Sequence, residues 1–139
     1  MQHFKFYNKQ DVLYFTRIRR FETKLGEQVK TPHSPAELGN LLTNPSIKYV
    51  IFGIPEDIGV RGNFGLGGAD SAWSAFLASF LNTQSNDFLS GGEILVLGHF
   101  DFGDLKFLIE QHAHDSEEKL NAYRHAVITI DEEVEELVK

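Results

Sequence analysis

A chain of 139 residues is long enough for one domain with a substantial hydrophobic core. Its formal net charge of −7 argues against a general nucleic-acid binder, because such a protein needs a basic face to neutralise phosphates. The sequence has no cysteine, no apolar run long enough to span a membrane and no signal-peptide core, which excludes disulfides and thiolate sites and predicts a cytoplasmic protein without a membrane partner.

The first third of the chain carries mixed local signals. Residues 11–20, DVLYFTRIRR, are compatible with a short strand or with a helical turn. Residues 21–29, FETKLGEQV, are polar with one glycine and predict a loop. Ser34 followed by Pro35 is typical of a helix start, and Asn44-Pro45 is typical of its end, so a helix is expected between them.

The middle of the chain predicts a βαβ unit. Residues 47–55, IKYVIFGIP, are β-branched and continuous and predict a fully buried strand, as do residues 92–100, GEILVLGHF. Between them, one apolar stripe predicts a helix near residues 70–82, with Asp70 or Ser71 as its cap. The stripe consists of Trp73, Phe76, Leu77, Phe80 and Leu81. The alternation predicts an α/β fold with a three-layer parallel sheet covered by helices on both faces.

The last forty residues predict mainly helix. Residues 103–126 form one helical segment, and a capping box at Thr129 and Glu132 predicts a further helix near residues 131–139. Its apolar stripe consists of Ile130, Val134, Leu137 and Val138. No stop signal follows this helix, so the chain is interpreted either as a fragment of a larger α/β protein or as a natural chain with a fraying last helix. An exposed stripe would be buried by self-association, which predicts a homo-oligomer.

A glycine-rich loop connects the first buried strand to the following helix. Its glycines, at positions 59, 62, 65, 67 and 68, fit neither the dinucleotide nor the P-loop pattern, and they either allow a ligand to approach the backbone or only permit turns. Arg61 and Asn63 suit an anionic ligand such as an amino-acid derivative, although a salt bridge from Arg61 to Glu56 or Asp57 is an equal alternative. The predicted substrate-binding residues are Arg61, Asn63, Gly65 and Gly68.

The same stretch, FGIPEDIGVRGNFGLGGADSAWSAF, resembles the first strand, loop and helix of the ureohydrolase family of arginase, agmatinase and formimidoylglutamase. The matching positions are Gly53, Pro55, Asp57, Gly59, Arg61, Asn63, Gly65, Gly68 and Ala69, whereas Leu66 stands where members often have arginine. Residues 23–29 and the stretch GEILVLGHFDFGDL are similar to formimidoylglutamase-like members. The resemblance extends over residues 20–139 and implies that this single α/β domain is the N-terminal part of a larger ureohydrolase-like domain.

The resemblance also implies a chemistry. Family members use two manganese ions bridged by a hydroxide that attacks the carbon of an amidine or guanidine. Formimidoylglutamate, hydrolysed to glutamate and formamide, is the first expected substrate. The family's metal-ligand motifs, G-G-x-H, D-x-H-x-D and D-x-D, are absent from this sequence, so we expect the chain alone to hold no catalytic residue and to be inactive.

The sequence also contains other candidate metal ligands and is compatible with two other functions. The remaining metal candidates are His99, Asp101 and Asp104 in HFDFGD and, with less support, the group HAHD at residues 112–115. One alternative function is an α/β domain that binds a phosphorylated ligand on the amides of residues 65–71. Another is a non-catalytic interaction module.

Overall fold

A computed structural model describes all residues, 1–139, and contains three strands and seven α-helices. In chain order these are β1 (Phe4–Phe6), α1 (Lys9–Tyr14), α2 (Leu25–Gln28), α3 (Leu38–Leu42), β2 (Tyr49–Gly53), α4 (Ile58–Gly62), α5 (Ala72–Phe80), β3 (Ile94–Phe100), α6 (Gly103–His112) and α7 (Ser116–Val138). Short 3₁₀ turns, Pro35–Glu37 and Ala69–Ser71, precede α3 and α5. None of the helices has both the length and the apolar character needed to cross a membrane.

The three strands form one sheet in the order β1-β3-β2. β2 and β3 pair in parallel, which confirms the predicted strand orientation. β1 runs antiparallel to β3, because the Tyr7 amide donates to the Leu97 carbonyl (2.8 Å) and the Asp101 amide donates to the His3 carbonyl (2.9 Å). The fold is therefore α/β as predicted, but its sheet is mixed, and the three-layer parallel arrangement stays a prediction.

The chain divides into two compact units. The first, called here the sheet unit, comprises Lys5–Gly53 and Trp73–His99. The second, the helical unit, comprises Met1–Phe4, Ile54–Ala72 and Phe100–Lys139. The boundary between β2 and the glycine-rich loop is thus also the point where the chain first leaves the sheet unit.

The core of the sheet unit lies against β3. Residues 94–97 of this strand are all buried, as predicted. The cluster around it consists of Tyr7, Val12, Val29, Leu77, Leu81, Ile94 and Val96. The prediction that residues 47–55 form a fully buried strand is wrong, since Tyr49 and Val50 are 55% and 43% exposed. β2 is an edge strand, so nothing pairs with its outer side and its first residues face solvent.

Two short helices of the sheet unit form where the sequence left the choice open, in α1, or predicted a loop, in α2. Asn8 and Asp11 form a reciprocal capping box that starts α1, so this segment is helical rather than extended. α2 lies within residues 21–29, where a loop was predicted, and that prediction is wrong. The helix forms because Leu25 and Val29 are both buried, and because the Leu25 amide donates to the Thr83 carbonyl at 2.9 Å.

In the helical unit, the two C-terminal helices have other bounds than the sequence predicts. The predicted segment 103–126 is interrupted after α6, and α7 starts again where Asp115 accepts a hydrogen bond from the Glu118 amide at 2.8 Å. α7 then continues without a break to Val138, so the predicted start at Thr129 is wrong. Thr129 follows three turns of formed helix, whose propagation requires no new cap. Along the predicted stripe, Ile130 is buried, whereas Val138 is 68% exposed.

Candidate functional site

The residue that organises the loop after β2 is Asp57. It precedes α4, within the stretch predicted as one continuous glycine-rich loop, and its side chain is 1% exposed. A buried carboxylate is costly unless positive charges and hydrogen-bond donors surround it. Three donors of the helical unit surround this one, and they lie 4, 11 and 49 positions away in the sequence.

The first donor is Arg61, one helical turn further along α4. Its Nε and Nη2 donate to Asp57 Oδ2 at 3.1 and 3.0 Å. The second donor is Lys106 on α6, whose Nζ lies 3.2 Å from Oδ2 and 2.9 Å from Oδ1. The third is the backbone amide of Gly68, which donates to Oδ2 at 3.1 Å. We call this set of contacts the Asp57 cluster; it ties α4, α6 and the end of the glycine-rich loop together.

Charge and hydrogen bonding keep Asp57 ionised. Burial by itself raises the pKa of the carboxyl, but the donors Arg61, Lys106 and Gly68 outweigh burial, and the pKa of Asp57 lies below its usual value. In the same way, the hydrogen bond to Asp57 raises the pKa of Lys106. Asp57 Oδ1 is buried and receives no well-aligned hydrogen bond, so its contact with the Lys106 ammonium is an ion pair only.

Two adjacent glycines allow the loop to close over this pair. A Cβ atom at Gly67 would overlap the guanidinium of Arg61 and the carboxylate of Asp57. Gly68 has φ of 125°, a conformation that side-chain-bearing residues rarely adopt, and this conformation points its amide at Asp57. These glycines therefore leave room for the ion pair between Asp57 and Arg61, in addition to permitting a turn.

The four predicted substrate-binding residues lie in this loop but have different surroundings. Arg61 adopts the alternative that the sequence left open, the salt bridge to Asp57. Gly68 is part of the same cluster. Asn63 is exposed at the end of α4, and the Gly65 amide donates to the Val60 carbonyl at 2.8 Å. The structure thus brings Arg61 and Gly68 to one carboxylate, whereas Asn63 and Gly65 stand apart from it.

A small cavity of about 200 Å³ adjoins the Asp57 cluster. Its charged lining consists of Glu56, Asp57, Asp70, Asp101 and Lys106, four carboxylates against one ammonium. Lys106 also lies 3.5 Å from Asp70, so this cation is shared between two acids. Carboxylates therefore outnumber cations in the lining of this cavity.

The metal candidates from the sequence have other partners. Asp101 accepts a hydrogen bond from the Gly103 amide at 3.0 Å, and Asp104 lies 3.0 Å from His3 Nε2. In the sheet unit, His99 Nδ1 lies 2.6 Å from the Tyr7 hydroxyl. The structure contains no group of three or more His, Asp or Glu side chains arranged to hold a metal ion.

A second titratable cluster of the helical unit has no counterpart among the sequence predictions. His3 contacts Glu133 through Nδ1 and Asp104 through Nε2, and its backbone amide donates to Glu133 at 2.9 Å. Burial lowers the pKa of His3, but the two carboxylates outweigh it and the net shift is upward. Histidine at the start of a chain carries no local signal of such a role, because its acidic partners lie more than 100 positions away.

A third polar arrangement lies in the sheet unit, where the Tyr7 hydroxyl accepts a hydrogen bond from Trp73 Nε1 at 3.0 Å. The same hydroxyl lies 2.6 Å from His99 Nδ1, and the tautomer of His99 sets which of the two groups donates. His99 lies opposite Gly53, at the carboxyl end of β2, where open α/β sheets bind ligands. Burial raises the pKa of Tyr7.

No family model matches this chain, and the searches of curated proteins and of solved structures give no match either.

The cluster was only partly visible in the sequence. The spacing of Asp57 and Arg61, four residues apart, is a recognisable signal for a helical ion pair. Lys106 and Asp70 join the same site from 49 and 13 positions away, and no local pattern marks them.

Proposed function

We propose that this chain is the substrate-binding N-terminal part of a hydrolase of linear amidines or guanidines, with formimidoylglutamate as the first substrate. The proposal combines the resemblance to ureohydrolases with one observation, the acidic cavity beside Asp57. In the whole enzyme, the sheet of this chain is proposed to continue into a three-layer parallel sheet. The reaction adds water to the formimino carbon and breaks its bond to the glutamate nitrogen, releasing formamide and glutamate.

The cavity supports the proposal through charge. An amidinium or guanidinium group is a planar cation that donates several hydrogen bonds, and carboxylates are its natural partners. Asp57 lines the cavity but is itself neutralised by Arg61 and Lys106, so the ligand-facing carboxylates of the proposal are those of its neighbours. Asp70 and Asp101 add carboxylates in the same lining.

The residues of this chain do not fit a two-manganese centre. Such a centre needs several carboxylates and imidazoles that converge on one point, and none do so here. The proposed role of this chain is therefore to bind and orient the cationic end of the substrate, and the proposal places the metal ligands elsewhere in the enzyme. No chemical step is assigned to His99, Asp101 or Asp104.

The alternative of a phosphorylated ligand on residues 65–71 has less support. The Gly68 amide already donates to Asp57, and a phosphate at this position would approach a buried carboxylate. Like charges in one site repel strongly when both are shielded from water.

The test uses the complete gene product that contains this chain, assayed for manganese-dependent release of formamide and glutamate. Asp101→Asn removes one cavity carboxylate that takes no part in the Asp57 cluster, and it is expected to raise KM about tenfold with a smaller effect on kcat. Asp87→Asn, on the exposed surface of the sheet unit, is the matched control and is expected to change neither. Absence of turnover with every amidine and guanidine tested would contradict the proposal, and tight phosphate binding would favour the alternative.

A further inference from the structure

The sheet unit carries an exposed basic and aromatic segment, residues 14–21, called here the arginine segment. Its three arginines, at positions 17, 19 and 20, are exposed, and none of them forms a salt bridge within the chain. Tyr14 and Phe21 flank the arginines and are 85% and 98% exposed, and Ile18, between Arg17 and Arg19, is 64% exposed. Three exposed arginines interleaved with exposed large apolar side chains have the composition of an interaction hot spot.

Phe21 is the most unusual residue of this segment. Its φ of 64° lies in the left-handed region, which is unfavourable for a residue with a side chain. The Arg20 guanidinium lies 5.9 Å from the centre of its ring, and the ring is otherwise open to water. An aromatic ring that is held outward in an unfavourable backbone conformation is suited to act as an anchor for a partner.

A complementary surface lies on α7 in the helical unit. An open groove of about 520 Å³, called here the acidic groove, has an apolar floor made by Ile54, Ile130, Val134 and Val138. Its charged rim consists of Glu56, Asp131, Glu135 and Lys139, and Lys139 is already paired with Glu135. The groove thus offers apolar contacts for a ring and carboxylates for guanidinium groups, and among these carboxylates Asp131 takes part in no salt bridge of the chain.

We propose that the arginine segment of one copy of this chain docks into the acidic groove of a second copy. Charge complementarity favours this occupant, because the segment carries three exposed arginines and the groove is lined by the carboxylates of Glu56, Asp131 and Glu135. This inference is independent of the proposed catalytic function.

Charge reversal tests the contact in both directions. Two double variants reverse the charge of one surface each: Arg19→Glu/Arg20→Glu in the arginine segment and Asp131→Lys/Glu135→Lys in the acidic groove. Each variant places like charges on the two surfaces that are proposed to dock. Each is expected to raise the self-association Kd by about tenfold or more in sedimentation velocity. An equimolar mixture of the two variants restores opposite charges and is expected to regain association. The control Lys30→Glu/Lys48→Glu changes the net charge as much as the arginine double variant does, at exposed lysines outside both surfaces, and is expected to leave the Kd unchanged.

The variant Phe21→Gly distinguishes a loss of the docking contact from a loss of folding stability. Glycine accepts the φ of 64° without strain, so thermal stability is expected to stay equal or rise while association weakens. The proposal is overturned if the wild-type chain is monomeric at about 0.1 mM in low salt. It is also overturned if the mixture of reversed variants stays monomeric, or if the lysine control weakens association as much. Arginine-dependent binding of a monomeric chain to phosphatidylserine vesicles would assign the segment to membranes instead.

Discussion

Asp57→Asn is the substitution that most directly tests the organisation of the glycine-rich loop. Asparagine keeps the shape of the side chain and one acceptor oxygen but removes the charge. Arg61 and Lys106 then lose the carboxylate to which both donate, and the Gly68 amide keeps at best a weaker neutral acceptor. The loop should therefore keep its conformation, and the folded chain should be less stable.

The expected cost follows from burial and exposure of the partners. Hydrogen bonds to a charged group contribute about 1.5–3 kcal/mol, and breaking a buried ion pair costs about 3–5 kcal/mol. The side chains of Arg61 and Lys106 are 33% and 26% exposed, so both cations recover part of their hydration. We expect the free energy of unfolding to fall by about 2–4 kcal/mol, and the Tm to fall by about 5–15 °C.

Urea unfolding followed by circular dichroism measures this difference, with Asp70→Asn as the matched control. Asp70 is 42% exposed and lies 3.5 Å from Lys106, so the same chemical change there should cost less than about 1 kcal/mol. Equal losses for the two variants, or a loss below about 1 kcal/mol for Asp57→Asn, would refute the reasoning.

The pH dependence gives a second readout of the same cluster. The pKa of Asp57 is lowered in the folded state, so its stabilisation is present above the unfolded pKa and is lost as pH falls through the folded one. The difference in unfolding free energy between wild type and Asp57→Asn should therefore shrink below about pH 4. A difference that stays constant down to about pH 2 would show that the charge of Asp57 does not matter.

Three further predictions concern single side chains. Gly68→Ala should cost about 1–2 kcal/mol in urea unfolding because of its positive φ, whereas Gly59→Ala, on α4 with only ordinary contacts, should cost nothing measurable. The raised pKa of His3 means that its stabilisation is complete below about pH 6.5 and is lost as pH rises through the folded pKa, which the difference from His3→Gln in urea midpoints should reproduce. Tyr7→Phe removes the hydrogen-bond partner of His99 Nδ1, so ¹⁵N NMR of the imidazole should show a changed tautomer ratio with little change in fold.

The sequence by itself determined the elements whose signals are local. The parallel pair of β2 and β3 and the helix α5 follow from continuous β-branched runs and from an apolar stripe, since side-chain periodicity reports directly on which face is buried. The resemblance of the loop to ureohydrolases also comes from the sequence alone. The spacing of Asp57 and Arg61 already contained their ion pair as one of two alternatives.

Only the tertiary structure decided the features that depend on distant neighbours. α2 formed where a loop was expected because Leu25 became buried, and Tyr49 was exposed because β2 lies at an edge of the sheet. α7 runs through Thr129 because a helix in progress needs no new start. Lys106 reached Asp57 across 49 positions of sequence. Hydrogen bonds and ion pairs of this kind form when folding brings distant residues together. A local sequence pattern does not indicate which distant residues will be in contact.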